Sequence, residues 1–246
     1  MFLDKVVALV GGGLYGISDE LDCNVYLLVS ESEAALFDAG CGIDSGPLIR
    51  NVSNCGIKAL KYIFLTHAHA DHASGTKVVQ SQFGGQVVAS EQEARLVEEG
   101  SDYALGLEHA KRGGTYPQNF RYVHHPVNVK AQHNAAFTVG ALSLRALLVP
   151  GHSVGSMCYL VEGAGQRRLF TGDTVMVGGY IDLINVPGSD LGAYREYLPR
   201  LAGLSVNAMF PGHLMWRLRD SQRHIDYAIA QLQISRMPRN LISFSV

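Results

Sequence analysis

The segment Thr66-His67-Ala68-His69-Ala70-Asp71-His72 constrains this chain more than any other: it puts three histidines and an aspartate within six residues. It directly follows the apolar run Tyr62-Ile63-Phe64-Leu65, which reads as a short buried strand. A strand that ends in imidazoles and a carboxylate delivers metal-type ligands to one point in space. A fold built on this segment must carry further donors to the same point, because a loop this short cannot enclose an ion.

Those donors stand at three later strand ends. Pro150-Gly151-His152-Ser153 closes the strand Leu142 to Val149, Thr171-Gly172-Asp173 closes Arg168 to Phe170, and Pro211-Gly212-His213 closes Ala208 to Phe210. Five histidines and two aspartates then suffice for two metal sites sharing a bridging carboxylate. Imidazole with carboxylate suits zinc, and also iron or manganese. With no more protein ligands than these, each ion keeps an open position, as a catalytic site requires. Ser153 has no base of its own in the sequence and reads as a turn residue.

The main decoy is Gly11-Gly12-Gly13-Leu14-Tyr15-Gly16, which matches Gly-x-Gly-x-x-Gly after a first strand, Lys5 to Val10. A dinucleotide fingerprint needs a helix opening at the last glycine. Ile17 to Asn24 has no helical apolar stripe, and Val25 to Val29 reads as a strand paired with Ala34 to Phe37 in a hairpin. The glycine loop is therefore expected to be flexible, bordering a pocket through Tyr15.

Further helices are expected at Pro47 to Asn54, at His72 to Gln82, after Ser90 with a capping box to Glu93, at Asp190 to Leu201, and at Arg217 to Arg236. Further strands are expected at Gln86 to Ala89, Tyr122 to Val129, Ala136 to Val139 and Met157 to Val161. Residues 100–119 read as a solvated loop with a helical piece, a lid or substrate-facing insert being the alternative. The order predicts a single domain spanning residues 1–246, in the α/β (α+β) class, with two sheets face to face and helices outside.

Composition closes off other classes. A net charge of −2 offers no grip on nucleic acid or an anionic membrane. The four cysteines include no Cys-x-x-Cys pair, so buried thiols in a reducing cytoplasm are expected rather than a thiolate zinc site. The N-terminal run around Asp4 makes a poor signal peptide, and no run reaches transmembrane length. The expected partner is a small-molecule substrate, with homo-oligomerisation left open.

In order, Asp38-Ala39-Gly40, His67-x-His69-x-Asp71-His72, Gly151-His152-Ser153, Gly172-Asp173 and Gly212-His213 resemble the motifs of the metallo-β-lactamase-fold hydrolase superfamily. The resemblance covers most of the chain, from Asp38 to His213. It implies an αβ/βα four-layer sandwich of two mixed β-sheets, with the metals, two Zn²⁺ or in their place Fe or Mn, in the cleft between the sheets. It also implies that His67, His69 and His152 hold one ion, that Asp71, His72 and His213 hold the other, and that Asp173 bridges them. Asp38 would support the histidine loop by hydrogen bonding.

Residues 178–190 look like the glyoxalase II-like branch. The implied activity is a di-metal hydrolase in which a metal-bound hydroxide attacks the carbonyl of a small ester, thioester or lactone, with Asp71 orienting the water or accepting its proton. Lys111, Arg112, Tyr103 and Tyr180 are the residues available to meet a glutathione thioester, and Tyr15, Asp182, Leu214 and Trp216 to line the pocket. Met176 stands where lactonases of the superfamily carry a tyrosine. The alternatives are a β-lactamase, an iron-dependent persulfide dioxygenase-like oxidoreductase and a non-catalytic metal-binding protein.

Overall fold

A computed structural model describes residues 1–241, so the last five residues of the expected 1–246 domain lie outside the described residues. Alternation along the strands dictates the architecture. In β1 (Val7–Gly11), β2 (Val25–Ser30), β3 (Glu33–Phe37), β4 (Tyr62–Phe64) and β5 (Gln86–Ser90), successive apolar side chains point to opposite faces. Leu9, Tyr26, Leu28, Phe37, Phe64 and Val88 enter one core, while Val10, Leu27, Leu36, Ile63 and Val87 enter another. A sheet apolar on both faces must be covered on both.

These strands and β6 (Val129–Ala131) form a six-stranded sheet in sequence order. The β1–β2 and β2–β3 pairs are antiparallel, and the later pairs parallel. The second sheet has the order β11-β10-β9-β8-β7, built from β7 (Ala136–Val139), β8 (Leu142–Leu148), β9 (Met157–Gly163), β10 (Gln166–Gly172) and β11 (Ala208–Pro211). Only β10–β11 is parallel there.

The central core lies between the sheets. Tyr26, Phe37, Phe170 and Phe210 stack or meet edge-on, with Phe37 and Phe170 ring centroids 3.7 Å apart. The outer face of the first sheet is covered by α1 (Gly46–Asn54), α3 (Thr76–Phe83) and α4 (Glu91–Glu99), with α5 (Leu107–Arg112) adding Leu107 to the same core. The outer face of the second packs on α6 (Leu191–Tyr197) and α7 (Gln222–Leu232), through Tyr194, Ile225, Ala228 and Leu232. This is the expected four-layer αβ/βα sandwich.

Three expected elements differ. The helix expected from His72 to Gln82 is split into a single turn, α2 (Ala70–Ala73), and α3. The carbonyls of Asp71 and His72, which a continuous helix would use internally, accept instead from the backbone N–H groups of Cys23 and Ala39. The Tyr122–Val129 strand is absent up to Val129. The N–H groups of Val123, His125 and Val127 go to Ser74 Oγ, the Val97 carbonyl and Glu98 Oε1, Pro126 interrupts the run, and only at Asn128, whose N–H donates to the Val87 carbonyl, does the chain reach β5. The Arg217–Arg236 helix shortens to α7, because Arg217 bridges to Met209 and extends the chain along β11. No helix among the described residues is long and apolar enough to cross a membrane.

Candidate metal centre

The first sheet ends in Asp38 and in the Thr66–His72 loop, and Asp38 organises that loop. Its backbone is left-handed at φ 59°, a conformation aspartate tolerates better than most residues. Its Oδ1 accepts from the Thr66 backbone N–H at 2.8 Å, and its Oδ2 accepts from His72 Nδ1 at 2.8 Å and Thr66 Oγ1 at 2.9 Å. Thr66 Oγ1, having given its proton to Asp38, accepts from His67 Nδ1 at 3.0 Å. The second sheet supplies the same device: His152 Nδ1 donates to the Asp182 carbonyl at 2.7 Å. These partners place the ring proton of His67, His72 and His152 on Nδ1 and leave each Nε2 lone pair free.

The free lone pairs converge. His67 Nε2 lies 3.0 Å from His69 Nδ1, and His152 Nε2 lies 3.2 Å and 2.9 Å from those two atoms. Burial, reinforced by the neighbouring imidazoles, holds His67 well below the usual histidine pKa and brings His69 down to about 3. Three neutral nitrogens facing one another repel unless a cation lies among them. A tetrahedral zinc site has ligand–ligand edges of roughly 3.3 Å, close to this spacing.

Asp71, His72 and His213 form a second group. His213 Nε2 is 3.1 Å from Asp71 Oδ2, and His72 Nε2 is 3.4 Å from it. Asp173 Oδ2 stands between the groups, 3.3 Å from His72 and His213, 3.6 Å from His152 and 4.0 Å from His67. His72 Nε2 and Asp173 Oδ1 are buried and have no hydrogen-bond partner. Burial opposes charge on these groups, yet they demand it. Against that cost, His72 and His213 hold Asp71 well below the usual carboxylate range, and Asp173 and Asp71 raise His213 to about 10. Orphaned donor atoms, paired carboxylates and lone pairs aimed at shared points fit divalent metal ions.

Two features of the chain bring the last donors in. Gly212 passes so close that a Cβ there would collide with Asp173 Oδ1 and crowd the His72 ring. Asn24 then pins the loop, its backbone N–H donating to the Gly212 carbonyl and its Nδ2 to the carbonyls of Pro211 and Leu214.

The sequence reading missed Glu93. Its capping box is half present, with Ser90 Oγ accepting from the Glu93 N–H. The carboxylate, 1% exposed, does something else. Oε2 accepts from the Ala68 N–H at 2.8 Å, and Oε1 accepts from Ser153 Oγ and the Gly155 N–H, both at 2.7 Å. Glu93 thus ties the loop carrying His67 and His69 to the loop carrying His152. The only signal was an acid on the inward face of an amphipathic helix.

A cavity of about 410 Å³ opens beside the donors. Of the expected pocket residues, Asp182 lines it, and burial pushes its carboxyl up to about 6. Tyr15, Tyr103, Tyr180, Leu214 and Trp216 are not among its walls. Tyr15 meets Trp216 edge-on at 5.4 Å, Tyr103 is exposed, and Tyr180 lies under the Arg239 guanidinium at 5.5 Å. The glycine loop forms a single 3-10 turn, Gly13–Tyr15, with no helix after it. The 100–119 segment, expected mainly as solvated loop, supplies Leu105, Leu107, His109, Ala110, Thr115 and Tyr116 to the walls.

Asp38→Asn would place an amide where two acceptor oxygens now serve Thr66 and His72. Metal affinity is expected to fall about 10–100-fold with the fold retained, measured by competition with a chromophoric chelator.

The comparisons with known proteins agree with this geometry. The family model described as the metallo-beta-lactamase superfamily matches residues 18–213. The lactamase-like protein nscB of Trichophyton equinum is 28% identical over 214 residues, covering 86% of this chain and 53% of that protein. The thioesterase pkgB of Emericella nidulans is 26% identical over 192 residues, covering 77% of this chain and 45% of its own length. The chain thus spans about half the length of these curated relatives. Among solved structures, a metallo-beta-lactamase of Cronobacter sakazakii, a HARLDQ motif mutant, superposes with a TM-score of 0.73 at 20% identity, covering 95% of this chain and 94% of that one. BJP-1, a subclass B3 metallo-beta-lactamase of Bradyrhizobium japonicum, gives 0.71 at 19% identity, covering 94% and 89%. With the fold, the ordered donors and a family model spanning most of its length, this chain belongs to the metallo-beta-lactamase superfamily.

Proposed function

We propose that the protein hydrolyses a small ester, thioester or lactone at a binuclear zinc centre, water adding to the carbonyl carbon and the acyl–oxygen or acyl–sulfur bond breaking to give an acid and an alcohol or thiol. The observation that carries this reading is the convergence of two donor groups on Asp173 Oδ2 at the wall of a cavity. His67, His69 and His152 would hold one ion, Asp71, His72 and His213 the other, with Asp173 shared. When bound, the ions would supply Lewis acidity and a water that loses its proton near neutral pH. The remaining work belongs to the chain. Asp38 and the Asp182 carbonyl fix the histidine tautomers, and Asp71 is positioned to accept or orient the proton of the attacking water. The apolar walls keep bulk water from the carbonyl.

The name of the relative pkgB, a thioesterase, favours the thioester within this range. A cytoplasmic setting suits the four free cysteines.

The test is elemental analysis with a hydrolysis screen of S-lactoylglutathione, acyl-homoserine lactones, nitrocefin and an aryl thioester. About two zinc ions per chain and turnover of at least one compound, abolished by a strong chelator and restored by zinc, are expected. A single iron per chain, or no turnover by the fully zinc-loaded protein, would overturn the reading.

A further inference from the structure

The substrate class is written in the part of the cavity that carries no metal donors. Leu105, Leu107, Ala110, Tyr116, Ile184 and Val186 make up most of that wall, with His109 and Thr115 as its polar members. No lysine or arginine among the described residues lines it. The two cations that the sequence offers for an anionic substrate are committed elsewhere. Lys111 is buried and paired with Asp102 at 2.7 Å, and Arg112 lies along the exposed side of its helix against Glu108 at 3.2 Å.

The wall is also fixed in shape. Leu105, Leu107 and Tyr116 are buried in the core under the first sheet. The 105–116 segment touches the 184–186 segment at Gly106, where φ is +70° and an added Cβ would stand 3.2 Å from Val186 Cβ. An induced rearrangement to admit a charged group would have to break that packing.

We propose that the group of the substrate seated against 105–116 and 184–186 is uncharged and apolar, an acyl chain or ring of medium length. This rests on the hydrolase reading above, and it argues against anionic conjugates such as glutathione thioesters. A carboxylate there would lose its water and find no lysine or arginine, the polar groups at hand being the Asp182 carboxyl, the Thr115 hydroxyl and the His109 imidazole. An apolar chain gains by leaving water. The cavity, about 410 Å³, is small for a ligand pocket, so the gain saturates early.

The experiment compares p-nitrophenyl acetate, butyrate and hexanoate with p-nitrophenyl hydrogen adipate on the zinc-loaded enzyme. kcat/KM is expected to rise up to about fourfold per added methylene as far as hexanoate. The adipate ester, of the same length but ending in a carboxylate, is expected to fall at least about tenfold below hexanoate. Val186→Lys should narrow or invert that ratio, with Ile184→Lys as the second variant should the first not fold. In parallel, calorimetry on the metal-free protein compares hexanamide with adipamic acid, and hexanamide is expected to bind more tightly. A flat chain-length profile, a preference for adipate, or equal binding of the two amides overturns this inference and leaves the hydrolase reading standing. If no ester is hydrolysed, the hydrolase reading is decided by the wider screen above, and the calorimetric preference still decides the character of the wall.

Discussion

Asp173→Ala is expected to lower kcat/KM by at least about a thousandfold, since metal-ion catalysis supplies several kcal/mol of transition-state stabilisation and each decade of rate is worth about 1.4 kcal/mol. Asp173 Oδ2 lies within 4.0 Å of four imidazole nitrogens, two in each donor group. No other side chain is shared in this way among the described residues. Zinc content should fall below two per chain while far-UV circular dichroism stays unchanged, because the substitution removes a buried charge and no strand pairing. Asp173→Asn, which keeps the shape and loses the charge, should behave in the same way. A variant with full turnover and two ions per chain would show that Asp173 is not a ligand. His67→Ala is expected to follow it, with the loss of the ion shared by His69 and His152.

The second large effect belongs to a residue outside the metal donors. Glu93→Ala leaves the backbone N–H groups of Ala68 and Gly155 buried without an acceptor, while Ser153 Oγ retains Ser156 Oγ at 2.6 Å. Two orphaned donors at about 1–3 kcal/mol each put the destabilisation at ~3 kcal/mol, a fall in Tm of roughly 6–12 °C for a domain of this size. Because Ala68 lies between His67 and His69, and Gly155 three residues beyond His152, zinc affinity should fall with stability. Glu93→Gln presents an NH2 group to one of the same donors and is expected to fall between Ala and wild type. Differential scanning calorimetry and zinc competition together test this. An unchanged Tm with unchanged zinc affinity would show that the two loops do not need their common anchor.

Asp173 and Glu93 differ in how far the sequence reveals them. Asp173 sits at the end of an apolar run in a Gly-rich turn, and that local pattern repeats at His152 and His213. Glu93 is the third residue of a helix that follows a capping serine, and the local pattern explains it fully as a cap. Its side chain is used by residues 25 positions before it and about 60 after it. The helices expected at His72–Gln82 and Arg217–Arg236 were misjudged for a related reason. Their helical pattern is real, but Cys23, Ala39 and Met209 take the backbone groups that would continue them. Distant competition for a carbonyl or an N–H leaves no trace in local periodicity.

The pocket shows the same division. Tyr15 and Trp216 are attractive in sequence because they flank motif residues, yet they pair with each other at 5.4 Å and leave the cavity to others. The walls come from 105–116 and 184–186, segments without any motif, joined where Gly106 meets Val186. Aliphatic residues such as Leu107 or Ile184 read as ordinary core when only their neighbours in the chain are known.

The sequence by itself determined the chemistry of the centre and the layering of the fold. Metal donors are rare residue types in tight spacing at strand ends, and strand alternation records which faces are buried, so both are local properties of the chain. Only the tertiary structure decided the cavity wall, the tautomer-fixing bond from the Asp182 carbonyl to His152, and the role of Glu93. Each is a contact between segments far apart in the chain, and its energy depends on distances that no local pattern encodes.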